Sequence, residues 1–261
     1  QQALAAINEV NWVPAWGQAR IEGAVESRPD WCISRQRTWG VPIPAFYSAD
    51  GEPLLDARIV RKTADLIEQH GSNIWFERDT AELWADVTPD DWTGEAPTAK
   101  STDTLDVWID SGSSSRAVLM QREELACDGA ADIYFEGSDQ HRGWFQSSLL
   151  LSLAGNGAPP YKTVLTHGFM VDADREKIAK SNQGANTKPQ TSEAYIGEYG
   201  ADIVRLWIAS QDFRSDITVS NERITQVPQT YRHLRHALTH PLTNPPPLHP
   251  LYTPQHHHTP L

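Results

Sequence analysis

The chain has 261 residues, of which 39% are hydrophobic and 21% charged, and a formal net charge of −12. This is the composition of a globular protein with a substantial core, in one large domain or two smaller ones, and it excludes a wholly disordered chain. The acidic balance argues against a protein that coats nucleic acid, though not against a local basic patch, and no apolar run is long enough to span a bilayer as a helix.

The first residues, Gln1 to Val10, lack an initiator Met and the basic and apolar regions of a signal peptide, so the chain reads as an excised or processed piece. Two cysteines, Cys32 and Cys127, are too few for a zinc-binding cluster and fit reduced thiols in a cytoplasmic protein. Residues 41–103 are punctuated by Pro42, Pro44, Pro53, Pro89 and Pro97. They hold a short helical pattern at 64–70 and an aromatic segment at 74–84, and read as a peripheral insertion or connection.

Beyond them, strand and helix patterns alternate, which predicts an α/β fold with a parallel sheet. Thr104 to Ile109 reads as a strand running into Asp110-Ser-Gly-Ser-Ser114, and Ala131 to Phe135 as another ending at Glu136-Gly137. Apolar stripes through Trp144, Ser148 and Leu151, and through Phe145, Leu149 and Leu153, predict a core-facing helix over 140–154, with Gly155 as its stop. A strand at Thr163 to His167 leads to a charged loop at 172–186 and helices at 191–199 and 201–210. From Pro241 the chain is dense in Pro and His without apolar period, which predicts an extended tail whose His256, His257 and His258 are solvated. Open α/β sheets bind ligands beyond the carboxyl ends of their strands. Here those ends carry Asp110, Glu136, Asp139, His167 and the lysine loop.

Five segments occur in order: RPDWCISRQRTWGVPIP at 28–44, DTLDVWIDSGSS at 103–114, EGSDQHRGWFQSSLL at 136–150, VLTHGFMVD at 164–172 and KIAKS at 177–181. Together they resemble isoleucyl-tRNA synthetase, a class I aminoacyl-tRNA synthetase, over roughly residues 10–235. The resemblance implies the second half of the Rossmann-like catalytic sheet with flanking helices. Residues 1–30 would be the return from an editing-domain insertion and 31–220 the catalytic half, with 41–103 its peripheral connection. Residues 221–240 would begin a helical domain, and 241–261 would be the tail. The family's first catalytic half, with its His-x-Gly-His signature, is not among these residues. His141-Arg-Gly-Trp144 fits its opening only superficially and belongs to another motif.

The implied chemistry is attack of the isoleucine carboxylate on the α-phosphorus of ATP, with pyrophosphate leaving, then aminoacyl transfer to tRNA. Such a site needs directional hydrogen-bond partners and cations rather than a nucleophile. By resemblance, Glu136 and Gly137 contact the isoleucyl-adenylate, Asp139 holds the ribose side, and Gln140 fixes the ammonium group. Carboxylates and an amide oxygen suit such donors, and Gly lets the backbone approach. The plainer reading is that Glu136 and Asp139 cap the following helix. Trp108 and Trp144 resemble the walls of the isoleucine pocket, whereas a Trp on an apolar helix face is ordinarily core.

Lys177 and Lys180 resemble the lysines of the family's Lys-Met-Ser-Lys-Ser loop, able to follow phosphate as charge develops; a solvated loop is the alternative. Here Ile178 replaces Met, Ala179 removes a hydroxyl, and Arg175-Glu176 stands where relatives commonly have Gly-Arg. Arg35, Gln36 and Arg37 suit either phosphate and the tRNA acceptor end or carboxylates that pin the insertion to the sheet. The implied ligands are isoleucine, ATP with Mg²⁺ as its substrate complex, and tRNA, with the missing N-terminal catalytic half as a further partner. No bound zinc and no membrane is expected. Two functions follow: a synthetase fragment that is weak or inactive alone, or a non-catalytic paralogue or remnant acting as a binding module.

Overall fold

The computed structural model describes residues 1–125, 127–172, 175, 178 and 191–243, and divides into two units, Gln1–Thr166 and His167–Leu261. The first unit opens with helix α1 (Gln2–Ile7), strand β1 (Asn11–Val13) and helix α2 (Trp16–Glu26). On α2, Gly17, Ile21 and Ala24 recur at helical spacing and are buried, so one face is committed to a core.

After β2 (Ser34–Arg35) the chain enters the proline-punctuated stretch. There β3 (Phe46–Tyr47) pairs antiparallel with β4 (Pro53–Leu54), and three helices follow, α3 (Ala57–His70), α4 (Ile74–Glu77) and α5 (Thr80–Val87). The helix expected at 64–70 begins earlier because Asp56 caps it, its Oδ1 accepting from the Arg58 amide at 2.7 Å. Asp79 and Glu82 form a reciprocal capping box at the start of α5.

Strand β5 (Ala99–Lys100) then completes a three-stranded sheet with β3 at its centre. Phe46, Ile59, Trp75, Leu83, Trp84 and Val87 form a separate core in this region. The rings of Trp75 and Trp84 each meet Phe46 edge-on, at 5.1 and 5.3 Å, and the fully buried Trp75 indole donates to the Ser101 carbonyl at 2.8 Å. The outgoing and returning chains are paired. The Ile43 amide donates to Asp103 O at 3.1 Å and the Leu105 amide to Val41 O at 2.7 Å.

Strand β6 (Thr104–Leu105) pairs antiparallel with β2. The sequence pattern predicts a strand to Ile109, but it stops at Leu105. Asp106 caps a helix there, α6 (Val107–Gly112), its Oδ1 accepting from the Trp108 amide at 2.8 Å. A short helix α7 (Ser114–Ala117) and strand β7 (Ala131–Gly137) follow. A 3₁₀ turn over Ser138–Arg142 then leads into helix α8 (Trp144–Asn156) and strand β8 (Tyr161–His167). Gly155 lies inside α8; the stop is Gly157, whose left-handed φ of 75° suits glycine.

Strands β1 and β8 pair in parallel, Trp12 opposite Val164, in a sheet of order β1–β8–β7. Trp12, Val164 and Tyr134 join Ile7, Ile21, Phe145, Leu149 and Tyr161 in the first core, where full burial of such a side chain stabilises by about 1.5–3 kcal/mol.

In the second unit, β9 (Met170–Val171) pairs in parallel with a later strand; helices α9 (Ser192–Tyr199) and α10 (Ala201–Ala209) fall at the positions the sequence predicts. That later strand is β10 (Ile217–Thr218), followed by α11 (Asn221–Ile224) and α12 (Val227–Thr243). Tyr195, Ile203, Trp207, Val219 and Ile224 fill its core. Helix α12 runs on through Pro241, where the extended tail is expected to begin, as far as Thr243. Among the described residues, no helix is long and apolar enough to cross a membrane.

Candidate functional site

The polar cluster lies where β7 gives way to α8. Glu136 is exposed with its Oε2 accepting from the Gly137 amide at 3.3 Å; Gly137 is buried, Asp139 exposed and Gln140 half-buried. The first amide of α8, that of Trp144, donates to Gln140 Oε1 at 2.9 Å. The helix start is therefore met by an amide oxygen, and the cap residue Gly143 contributes no side chain. Gln140 Oε1 keeps a second lone pair for another donor.

Trp144 is held on two sides. Its ring stacks on Tyr134 with centroids 4.0 Å apart and planes within 6°, and its indole N–H donates to Ser111 O, near the end of α6, at 2.8 Å. Gly143 lets these groups converge. A Cβ there would lie 2.5 Å from Gln140 Oε1 and 3.1 Å from the Trp108 ring. The structure thus brings Trp108, Gln140 and Trp144 together around one glycine, with Trp108 at 39% exposure still offering much of its ring.

Asp106 fixes the approach from below. Its buried carboxylate pairs with the Arg35 guanidinium, caps Trp108 and receives the Trp31 indole N–H at 3.3 Å. Arg35 also donates to the carbonyls of Cys32 and Ser34, each at 2.7 Å. Of the two readings open for Arg35, pinning through a carboxylate is the one its contacts carry, while Gln36 and Arg37 are exposed. Burial, with Asp106 nearby, pushes the Asp110 carboxyl above its ordinary range.

Lys177 and Lys180 lie outside the described residues. Beside them, Ile178 packs against the second unit's core and its amide donates to Met170 O at 3.2 Å. Arg175 has φ of 63°, a left-handed backbone that glycine adopts freely and that costs other residues about 1–2 kcal/mol. The substitution noted in the sequence at this position therefore falls where glycine has a conformational use.

His141 receives no role from sequence reasoning, yet it is completely buried beneath the cluster, with Nδ1 3.0 Å from Ser138 O. No local pattern marks it, because Trp12, Trp16 and Gly17, which surround it, come from the start of the chain. Among the described residues, no group of three or more His, Cys, Asp and Glu side chains is placed to hold a metal ion.

The family model for class I tRNA synthetases (I, L, M and V) matches residues 1–220. The chain belongs to the class I tRNA synthetase family. Within it, the chain is 51% identical over 239 residues to the isoleucine–tRNA ligase of Methylacidiphilum infernorum, covering 90% of this chain and 25% of that protein. The isoleucine–tRNA ligase of Syntrophotalea carbinolica is 50% identical over 245 residues, covering 94% and 26%. This synthetase chain thus spans about a quarter of the length of these curated relatives. Two solved synthetases share its fold. One is the LeuRS of Agrobacterium radiobacter in a ternary complex with tRNA and LeuAMS, at a TM-score of 0.54 and 22% identity, covering 82% of this chain and 28% of that one. The other is the Mycobacterium tuberculosis methionyl-tRNA synthetase bound by methionyl-adenylate, at 0.56 and 16%, covering 93% and 39%.

Proposed function

We propose that this chain is the second half of the catalytic domain of an isoleucine–tRNA ligase, which activates isoleucine with MgATP and transfers it to tRNA in the cytoplasm. The observation that carries this reading is the convergence of Trp108, Gln140 and Trp144 at Gly143, in a segment similar to relatives named isoleucine–tRNA ligase. Two indole faces suit a branched alkyl side chain, because they add no polar atom that burial leaves unpaired: the Trp144 N–H is already satisfied.

In this reading the free lone pair of Gln140 Oε1 accepts from the substrate ammonium. The exposed carboxylates of Glu136 and Asp139 take the adenylate's hydroxyl and ammonium donors, with the buried Gly137 between them at the end of β7. Lys177 and Lys180 follow the phosphates as pyrophosphate departs. No covalent enzyme intermediate is needed; alignment and charge stabilisation do the chemistry. Residues 1–30 are the return from an editing insertion, 31–220 the catalytic half with 41–103 its peripheral connection, and 221–240 the start of a helical domain. The remaining catalytic half, supplied by the rest of the polypeptide, completes the site, so the isolated chain is weak or inactive.

Isoleucine-dependent ATP–pyrophosphate exchange tests this, with the full-length protein active and the 261-residue chain near background. Robust exchange by the chain alone would refute its incompleteness, and a full-length protein without isoleucine dependence would refute the assignment. A second reading, a non-catalytic binding module, is favoured by the altered lysine loop with Arg175 at positive φ. It predicts no exchange by the full-length protein and no calorimetric binding of a non-hydrolysable isoleucyl-adenylate analogue.

A further inference from the structure

We infer that His141 is a positioning residue for the Glu136–Gln140 turn, seated in a notch that Gly17 leaves open on helix α2. The inference deepens the functional reading above and rests on its placement of the ligand at Gln140 and Trp144.

Histidine is seldom wholly buried, because one nitrogen or the other must find a partner. His141 is at 0% exposure, enclosed by the rings of Trp12 at 6.1 Å, Trp16 at 5.7 Å and, edge-on, Phe145 at 5.3 Å. Its Nδ1 lies 3.0 Å from the Ser138 carbonyl, which can only accept, so Nδ1 carries a proton and donates, and burial of the ring favours its neutral form. That bond ties the first residue of the 3₁₀ turn to the fourth from the inside. Asp139 and Gln140 are the two residues between, so their directions are set by it. Gln140 in turn holds the Trp144 amide at 2.9 Å.

The ring can occupy this seat only because position 17 lacks a side chain. A Cβ on Gly17 would stand 3.2 Å from His141 Nε2 and 3.4 Å from the Trp12 ring. Three aromatic walls leave the imidazole little room to retreat, so an added methyl displaces it by a few tenths of an ångström and the turn follows. Helix α2 thereby sets the geometry of a turn more than a hundred residues later. His141 Nε2 has no protein partner among the described residues, so within the protein the ring is anchored through Nδ1 and fits against position 17 as a wedge.

The test uses the full-length protein and four variants: Gly17→Ala, His141→Phe, His141→Asn and the double variant Gly17→Ala/His141→Asn. Gly17→Ala and His141→Phe should raise KM for isoleucine roughly tenfold and KM for ATP several-fold, because the turn carries both Gln140 and Asp139, while kcat stays within about twofold. His141→Asn keeps a donor at the Nδ1 position and should restore KM to within about threefold of wild type. Its shorter side chain should also abolish the effect of Gly17→Ala in the double variant. Unchanged KM values with a lowered kcat, or a Gly17→Ala effect that persists in the His141→Asn background, would overturn the inference. An inactive wild type would defeat the functional reading alone. The positioning is then read by ¹⁵N NMR: a fixed Nδ1–H tautomer with Asp139 and Gln140 amides shifted by Gly17→Ala supports it, and unmoved amides overturn it.

Discussion

Residues 41–103 and residues 104–156 are built from the same materials, acids at helix starts and tryptophans against helix faces, and use them differently. In the first region the capping acids and the most buried tryptophan are consumed internally. Asp56 and Asp79 cap their own helices, and Trp75 is enclosed with its N–H on Ser101 O. In the second, Asp106 and Gln140 cap α6 and α8, but Glu136 stays exposed and Trp108 keeps 39% of its surface open. A tryptophan or a carboxylate near a helix start is therefore no sign of a site. What distinguishes the two regions is whether structural needs are met by neighbours that leave the ligand-suited groups uncovered.

The largest expected effect separates the regions by stability. Trp75→Ala should cost about 3–5 kcal/mol, from lost burial and a cavity, in urea unfolding. It should leave adenylate-analogue affinity of the folded protein unchanged; loss of affinity in step with stability would mean that the regions are not independent. Trp108→Ala is the converse. With the ring substantially exposed, stability should move by less than about 1 kcal/mol, while analogue binding in calorimetry should weaken roughly 10- to 100-fold.

The smallest effect is on acid sensitivity. Burial holds His141 below its ordinary value of 6.5, against the Ser138 carbonyl bond, which favours protonation, with Arg20 on α2 opposing protonation and Asp139 favouring it. The unfolded chain therefore takes up a proton that the folded one refuses. The stability contribution is complete above the ordinary value and declines as pH falls from there toward the depressed one. Urea midpoints across that window should fall less steeply for His141→Asn than for wild type.

Much of this was legible in the residues, and the failures have identifiable causes. Strand β7 and helix α8 announce themselves through apolar period, as do α9 and α10. Alternating Leu105, Val107 and Ile109 mimic a strand, but the Asp106 carboxylate turns the chain into a helix at once. Gly155 and Gly157 are equivalent as letters; only the left-handed backbone at Gly157 identifies the stop. Resemblance pairs Trp108 with Trp144 as an expectation, whereas nothing local points to the seat of His141, because Gly17 and Trp12 make it from a distance. Lys177 and Lys180 remain beyond the described residues.

The pairing of Val41 with Leu105 and of Ile43 with Asp103 makes the ends of the proline-rich excursion immediate neighbours. Between them the chain carries its own aromatic nucleus, so the stretch is a cassette with a single splice point. Exchanging it for a tight hairpin would ask the polypeptide to bridge only the width of one strand pair, and would leave the registers on either side of the junction where they are.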